Sequence, residues 1–187
     1  SIRETIINNG GEVNFNSKVI DFIIEDNAIK GVRLENGSNF LSKNVVLATG
    51  HSARDIFELL YSKKILLEFK PFALGVRVEH EQDLIDQIQY KQNPRNEFLP
   101  PASYSLVAQV NGRGVYSFCM CPGGIVAPCA TTPGEVVTNG WSPSKRNNPF
   151  SNSGIVTEIR YSDIEAYHKH GPLAGMYFQR DVEQACW

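Results

Sequence analysis

Met120-Cys121-Pro122-Gly123-Gly124 is the stretch whose residue types come nearest to a reactive or ligand-facing loop. A glycine pair after proline permits positive φ and a flat loop that a planar ligand can approach. Cys119 or Cys121 would be a nucleophile if a nearby charge lowered its pKa. Without such a partner, cysteines in this setting are small buried hydrophobes, and nothing in the spacing supplies the partner. Arg146, among Asn139, Ser142, Asn147, Asn152 and Ser153, is the side chain best suited to clamp a carboxylate or phosphate. Its planar fork matches such groups. The competing reading is that this polar set satisfies backbone groups in a long loop.

Ala48-Thr49-Gly50 offers different chemistry. Small residues at the C-terminal end of a strand let main chain approach a bound molecule closely, and the helix that follows presents unpaired amides to negative charge. His51 and Ser52 follow directly. The histidine is suited to tune such a site near neutral pH and equally suited to cap or pack. His80, His168 and His170 carry no special pattern, and the last two read as a solvated helix face.

These residues need positioning. Ile2, Ile6 and Ile7 recur at helical spacing until Gly10-Gly11, and residues 12–16 read as a short strand. Val19–Ile24 and Ile29–Leu34 read as strands around an Asp26-Asn27 turn, and Asn36-Gly37 leads to Phe40-Leu41. Val45–Ala48 is a continuous apolar run, as in a strand buried on both faces. A helix should follow, starting near Thr49 or Ser52, with Ile56, Leu59 and Leu60 inward.

Leu74, Val76 and Val78 alternate as a half-buried strand, and residues 81–89 form an amphipathic helix with Leu84, Ile85 and Ile88 inward. A polar loop covers 91–101. Residues Tyr104–Val110 and Val115–Cys119 form a hairpin around Asn111-Gly112. Cys121–Gly154 is loop-rich, broken by a strand at Val136–Asn139. Ile155–Ile159 is a short strand, Asp163 caps a last helical stretch, and a helix carrying Met176, Phe178 and Val182 runs from Pro172 to the end.

The bulk numbers exclude some classes. Of 187 residues, 42% are hydrophobic, enough for a core. With 18 basic against 20 acidic residues, net charge −2, no electrostatic argument points to nucleic acid or an anionic membrane. No apolar run spans a bilayer, and Ser1-Ile2-Arg3-Glu4-Thr5 is no secretory signal. The four cysteines fit no common zinc spacing, so no metal site is expected, and they read as reduced thiols of a cytoplasmic protein.

Taken with the meander before it, Ala48-Thr49-Gly50-His51-Ser52-Ala53-Arg54-Asp55 resembles the second FAD-contacting segment of two-dinucleotide-binding-domain flavoproteins. More closely it resembles a family of FAD-dependent dehydrogenases with a split FAD domain and an inserted domain. The likeness continues through Gly75–His80, Leu99–Tyr104, Tyr116–Gly124, Asn139–Ser144, Arg146-Asn147, Asn152–Val156, Gly171–Gly175 and Gln179-Arg180, in order. The Gly-x-Gly-x-x-Gly turn that receives the FAD pyrophosphate is missing, as though the chain begins after it, and the family's late glycine-rich segment would lie beyond Trp187. Trp141, Asn148 and Cys129 stand where the resemblance leads one to expect Met, Ser and Ala.

The resemblance implies an α+β chain: part of a split FAD/NAD(P)-binding α/β domain over residues 1–70, then a mostly β inserted, substrate-side domain over 71–187. It implies that main chain at Val19 meets the adenine edge, and that Ala48, Thr49, Gly50, His51 and Ser52 lie on the cofactor side. It further implies that Gly123 and Gly124 lie beside the flavin, with Asn139, Ser142, Arg146, Asn152 and Ser153 toward the substrate. The implied protein is an oxidoreductase passing hydride to or from FAD, acting on a small molecule and completed by the rest of its own polypeptide. This stretch alone is expected to hold FAD weakly and to be inactive. Catalytic candidates are Cys121 and Arg146. Two other readings stand beside it: a cysteine-dependent enzyme using Cys119 or Cys121, and a non-catalytic module binding a ligand or protein.

Overall fold

A computed structural model describes all residues, Ser1–Trp187, and the chain is α+β. It divides into two compact units, Ser1–Leu67 and Glu68–Trp187. No helix is long and apolar enough to cross a membrane.

In the first unit, helix α1 (Ile2–Asn8) opens with a capping box: Glu4 N–H donates to Ser1 Oγ at 3.4 Å, and the amino terminus donates to the Glu4 carboxylate. Its Ile2, Ile6 and Ile7 are exposed, so the helical spacing marks a face without a partner in this unit. Residues 12–16 are not a strand. Asn16 is left-handed (φ 54°) and Ser17 Oγ bonds back to Phe15 O, which makes a turn of the stretch. Strands β1 (Val19–Glu25), β2 (Ala28–Leu34) and β3 (Asn39–Leu41) form the antiparallel meander, in that order. Asp26 and Asn27 both take positive φ, the geometry a two-residue hairpin favours. Helix α2 (Arg54–Ser62) places Ile56 in a small core with Phe22 and Leu34.

One expectation fails here. Val45–Ala48 pairs with no strand, and Val46 is 90% exposed. A strand buried on both faces needs neighbours on either side, and this unit presents none. The expected helix does follow: α2 opens at Arg54, two residues after Ser52, with Ala53 as its cap and no side-chain bond there.

The second unit is built on a four-stranded antiparallel sheet: β4 (Phe72–Glu81), β9 (Phe150–Ile159), β6 (Arg113–Cys121) and β5 (Val107–Val110), in that spatial order. β4 and β9 pair over their whole lengths, from Phe72 opposite Ile159 to Glu81 opposite Phe150. Strands β7 (Ile125–Pro128) and β8 (Thr138–Trp141) make a separate hairpin. Helix α3 (Gln82–Tyr90) follows β4 directly. Two 3₁₀ segments, Tyr161–Asp163 and Glu165–Leu173, lead into α4 (Ala174–Ala185), whose Gly175 packs against Phe69 and Phe72.

The structure redraws several elements. Val76 is exposed, as are Leu84 and Ile88, while the buried face of α3 is Gln82, Ile85 and Asp86. The spacing i, i+3, i+4 is helical as expected, but hydrogen bonding turns a polar pair inward. The strand expected at Val136–Asn139 lies two residues later, as β8. β9 begins at Phe150, so Ser151, Asn152 and Ser153, read as loop residues, lie in a central strand and are fully buried. Both serine hydroxyls and Asn152 Oδ1 find partners inside the unit, so polarity here does not mark a loop. Asp163 sits within the first 3₁₀ turn and accepts the Arg160 amide at 2.8 Å.

Candidate functional site

In the first unit the Ala48–Ser52 turn is bare. Residues 45–52 are exposed, Gly50 has φ 78°, and a β-carbon added there would meet nothing within 4 Å. His51 and Ser52 are exposed and adjoin through a 3.4 Å contact between Nδ1 and Oγ. Val19 is half-buried at the start of β1, an edge strand of the meander. An apolar groove of about 410 Å³, lined by Phe22, Ile24, Ile29, Val45, Leu47 and Leu60, runs beside the turn's strand-like approach.

In the second unit the glycine pair is held, not open. Gly123 (φ 49°) donates its amide to Gln82 Oε1 at 2.7 Å, and a β-carbon there would overlap the Arg146 carbonyl. Gly124 is also close-packed, against Trp141 O and Cys121. The close approach that these glycines permit is thus made to their own chain. Ser142 Oγ closes the turn by donating to Pro122 O at 2.8 Å.

Gln82 anchors this loop to α3. Its Nε2 donates to Asp86 Oδ1 at 2.9 Å and Ala102 O at 3.0 Å. Asp86, buried, also accepts the Ala102 amide at 2.7 Å and an ion pair from Arg95. A buried carboxylate is tolerable because cation and N–H donors meet its oxygens. Sequence reading missed Gln82 and Asp86; the only trace they leave is their helical spacing with Ile85.

A second polar centre lies on the sheet. Register shifts between Phe118 and Cys121, and Cys119 takes φ 46°, so β6 bulges there. The Cys119 carbonyl accepts Arg77 Nη1 and Cys121 Sγ, each at 3.3 Å. Arg77 Nη1 also donates to Asn152 Oδ1 at 2.7 Å. Gly140 leaves the space they use: a β-carbon there would overlap Asn152 Oδ1 and Arg77 Nη1. Asn152 Nδ2 is buried without an acceptor.

The expected substrate-side residues differ in burial and in partners. Asn152 and Ser153 are buried in β9, with Ser153 Oγ donating to Gly154 O at 3.1 Å. Asn139 is exposed and accepts the Gly140 amide at 2.8 Å. Arg146 is exposed and left-handed (φ 47°); what its position contributes is backbone packed on Gly123. Cys121 is buried, with its thiol donating to a carbonyl, the setting of a structural cysteine. Cys119 is exposed.

Among the histidines, burial pushes the His80 imidazole below its ordinary value, partly opposed by Glu79. Its Nε2 lacks a partner and its ring lies 5.4 Å from that of Tyr104. His168 and His170 stack on Tyr161 and Tyr177 at 3.8 and 4.0 Å, so they are packed rather than merely solvated. No three His, Cys, Asp or Glu side chains converge as metal ligands.

Comparison with known proteins finds relatives that match most of the chain. An uncharacterized protein of Clostridium beijerinckii is 43% identical over 185 residues, which is 98% of this chain and 34% of that protein. The tRNA uridine 5-carboxymethylaminomethyl modification enzyme MnmG of Alkaliphilus metalliredigens is 28% identical over 122 residues, 55% of this chain and 19% of the enzyme. The chain thus spans about a third of the first relative's length and about a fifth of the second's. Residues 71–187, the sheet with its Gly123 loop and α4, match the family described as FAD-dependent protein, C-terminal domain-like, and to that family the chain belongs.

Proposed function

We propose that this chain is the framework portion of an FAD-dependent oxidoreductase, with its first unit facing the nucleotide and its second facing the substrate. The observation that carries the reading is the bare turn at Gly50: positive φ, no neighbour within 4 Å of an added β-carbon, and an exposed apolar approach through Val45–Leu47. A glycine turn of this kind ahead of a helix fits a nucleotide by main chain alone, since glycine lets backbone lie flush against it. Ala48, Thr49 and Gly50 would hold it through main chain, with His51 and Ser52 at its rim. Val19 would contribute the free side of an edge strand.

When bound, FAD supplies hydride transfer. The protein's share is orientation and exclusion of water. Gln82 fixes the Gly123 turn, and the exposed apolar run at Val45–Leu47 and its groove accept strands from the rest of the polypeptide. The first unit alone offers a nucleotide main chain at one edge, so this stretch by itself holds FAD weakly.

A small molecule is the substrate this surface suits. The relative that modifies tRNA shares sequence with the chain, but a net charge of −2 gives no attraction to a polyanion. The four free cysteines suit a reducing, cytoplasmic setting. Catalysis by Cys121 is disfavoured, because its thiol is buried and donating, which leaves the exposed Cys119 as the thiol a cysteine-dependent reading would use. The test is FAD content of the intact protein and of its Gly50→Val variant, which places a branched side chain where the nucleotide should lie. Retained flavin in the variant contradicts the assignment.

A further inference from the structure

Arg77 is a cation without an anion. Its two hydrogen bonds, to Asn152 Oδ1 and Cys119 O, both leave from Nη1 and both end on neutral acceptors. Nε and Nη2, the edge of the guanidinium that pairs with two oxygens at once, have no partner in the structure. Taking a guanidinium partly out of water without a counter-charge is costly, and so is burying an amide N–H₂ with no acceptor. Both costs fall at one place, because Asn152 is 0% exposed and its Nδ2 is unpartnered while its Oδ1 holds Arg77.

Two glycines pack against the pair. Arg77 stands opposite Gly154 in the β4–β9 ladder, and Gly140 of β8 lies over Arg77 and Asn152. The β6 bulge turns the Cys119 carbonyl to steady Nη1. One atom of the guanidinium is thus spent on fixing the group, and the remainder is left as donors.

We propose that Arg77 and Asn152 form a carboxylate-binding site, and that the small molecule handled by this protein carries a carboxylate. A planar anion with two acceptor oxygens supplies the charge that Arg77 lacks and the acceptor that Asn152 lacks. The site replaces Arg146 as the clamp. It lies wholly within residues 68–187, so its occupancy does not depend on flavin.

The test is calorimetric titration of the intact protein with succinate and with succinamide, its uncharged counterpart. Saturable binding of succinate and none of succinamide is expected. Arg77→Lys, which keeps the charge but loses the fork, should weaken succinate binding by about tenfold or more. Asn152→Asp keeps the side-chain shape but supplies Arg77 with a built-in carboxylate, so binding should vanish while circular dichroism stays native. This second variant keeps the test decisive if Arg77→Lys fails to fold. No saturable succinate binding, equal binding of succinamide, or unchanged binding in Asn152→Asp overturns the proposal. Flavin absorbance read on the same samples reports separately on the FAD assignment.

Discussion

The amide of Gly123 donates a 2.7 Å hydrogen bond to the side chain of Gln82, 41 residues earlier in the chain. This bond ties the loop most suggestive of chemistry to the first turn of a helix, and makes that loop a fixed element. Replacing Gln82 with Leu keeps the volume roughly but leaves the Gly123 amide and the Ala102 carbonyl without their partner. The expected loss is about 2–4 kcal/mol, since each stranded buried group costs ~1–3 kcal/mol. Urea unfolding of the intact protein and the variant measures it; an unchanged midpoint would show the bond to be incidental.

Gly140 and Gly114 provide a paired test of packing. A methyl at Gly140 overlaps Arg77 and Asn152, whereas one at Gly114 comes no nearer than 3.8 Å to Gln109 Nε2. Gly140→Ala should therefore destabilise by about 1–3 kcal/mol or more, and Gly114→Ala should stay within about 0.5 kcal/mol. Thermal unfolding of both variants separates them.

Asp163 gives a pH signature. Arg113 grips it through two bonds of 2.7 and 2.8 Å, the Arg160 amide adds a third, and its carboxyl is held down at about 2 from an ordinary 3.8. The folded state therefore releases this proton more readily than the unfolded chain. The resulting stability is fully present above the unfolded value and is lost as pH falls through the folded one. Unfolding midpoints between about pH 5 and 2 should fall less steeply in Asp163→Asn than in the parent.

His80 should show a signature nearer neutrality. Burial favours its uncharged form, so its folded pKa lies below 6.5. As pH drops beneath that ordinary value, the unfolded chain takes up the proton first, and stability declines until the folded imidazole is also protonated. An NMR titration of the His80 ring should give a midpoint below that of the urea-unfolded protein. A midpoint at or above it would show that the ring is not desolvated.

What the sequence disclosed follows the range of the forces involved. Asp26-Asn27 and Asn36-Gly37 were legible because a turn is decided within four residues. The Val45–Leu47 run was legible as apolar but not as unpaired, because periodicity reports what a strand wants and not whether its neighbours are present. Gln82, Asp86 and Arg77 were not legible as a site. Their roles depend on partners at Gly123, Ala102 and Asn152, between 16 and 75 residues away, and a polar residue turned inward looks locally like one turned out. Asn152 and Ser153 misled for the same reason: their composition suggests loop, and only the ladder of β4, β9 and β6 makes them core.

The most direct test of the account is the FAD-to-protein ratio of the intact protein, read by absorbance after acid release, in parent and Gly50→Val forms. The account predicts a flavin-bearing parent and a variant stripped of most of its flavin while still folded. A parent that stays colourless when FAD is added, or a variant that keeps its full complement, would contradict it.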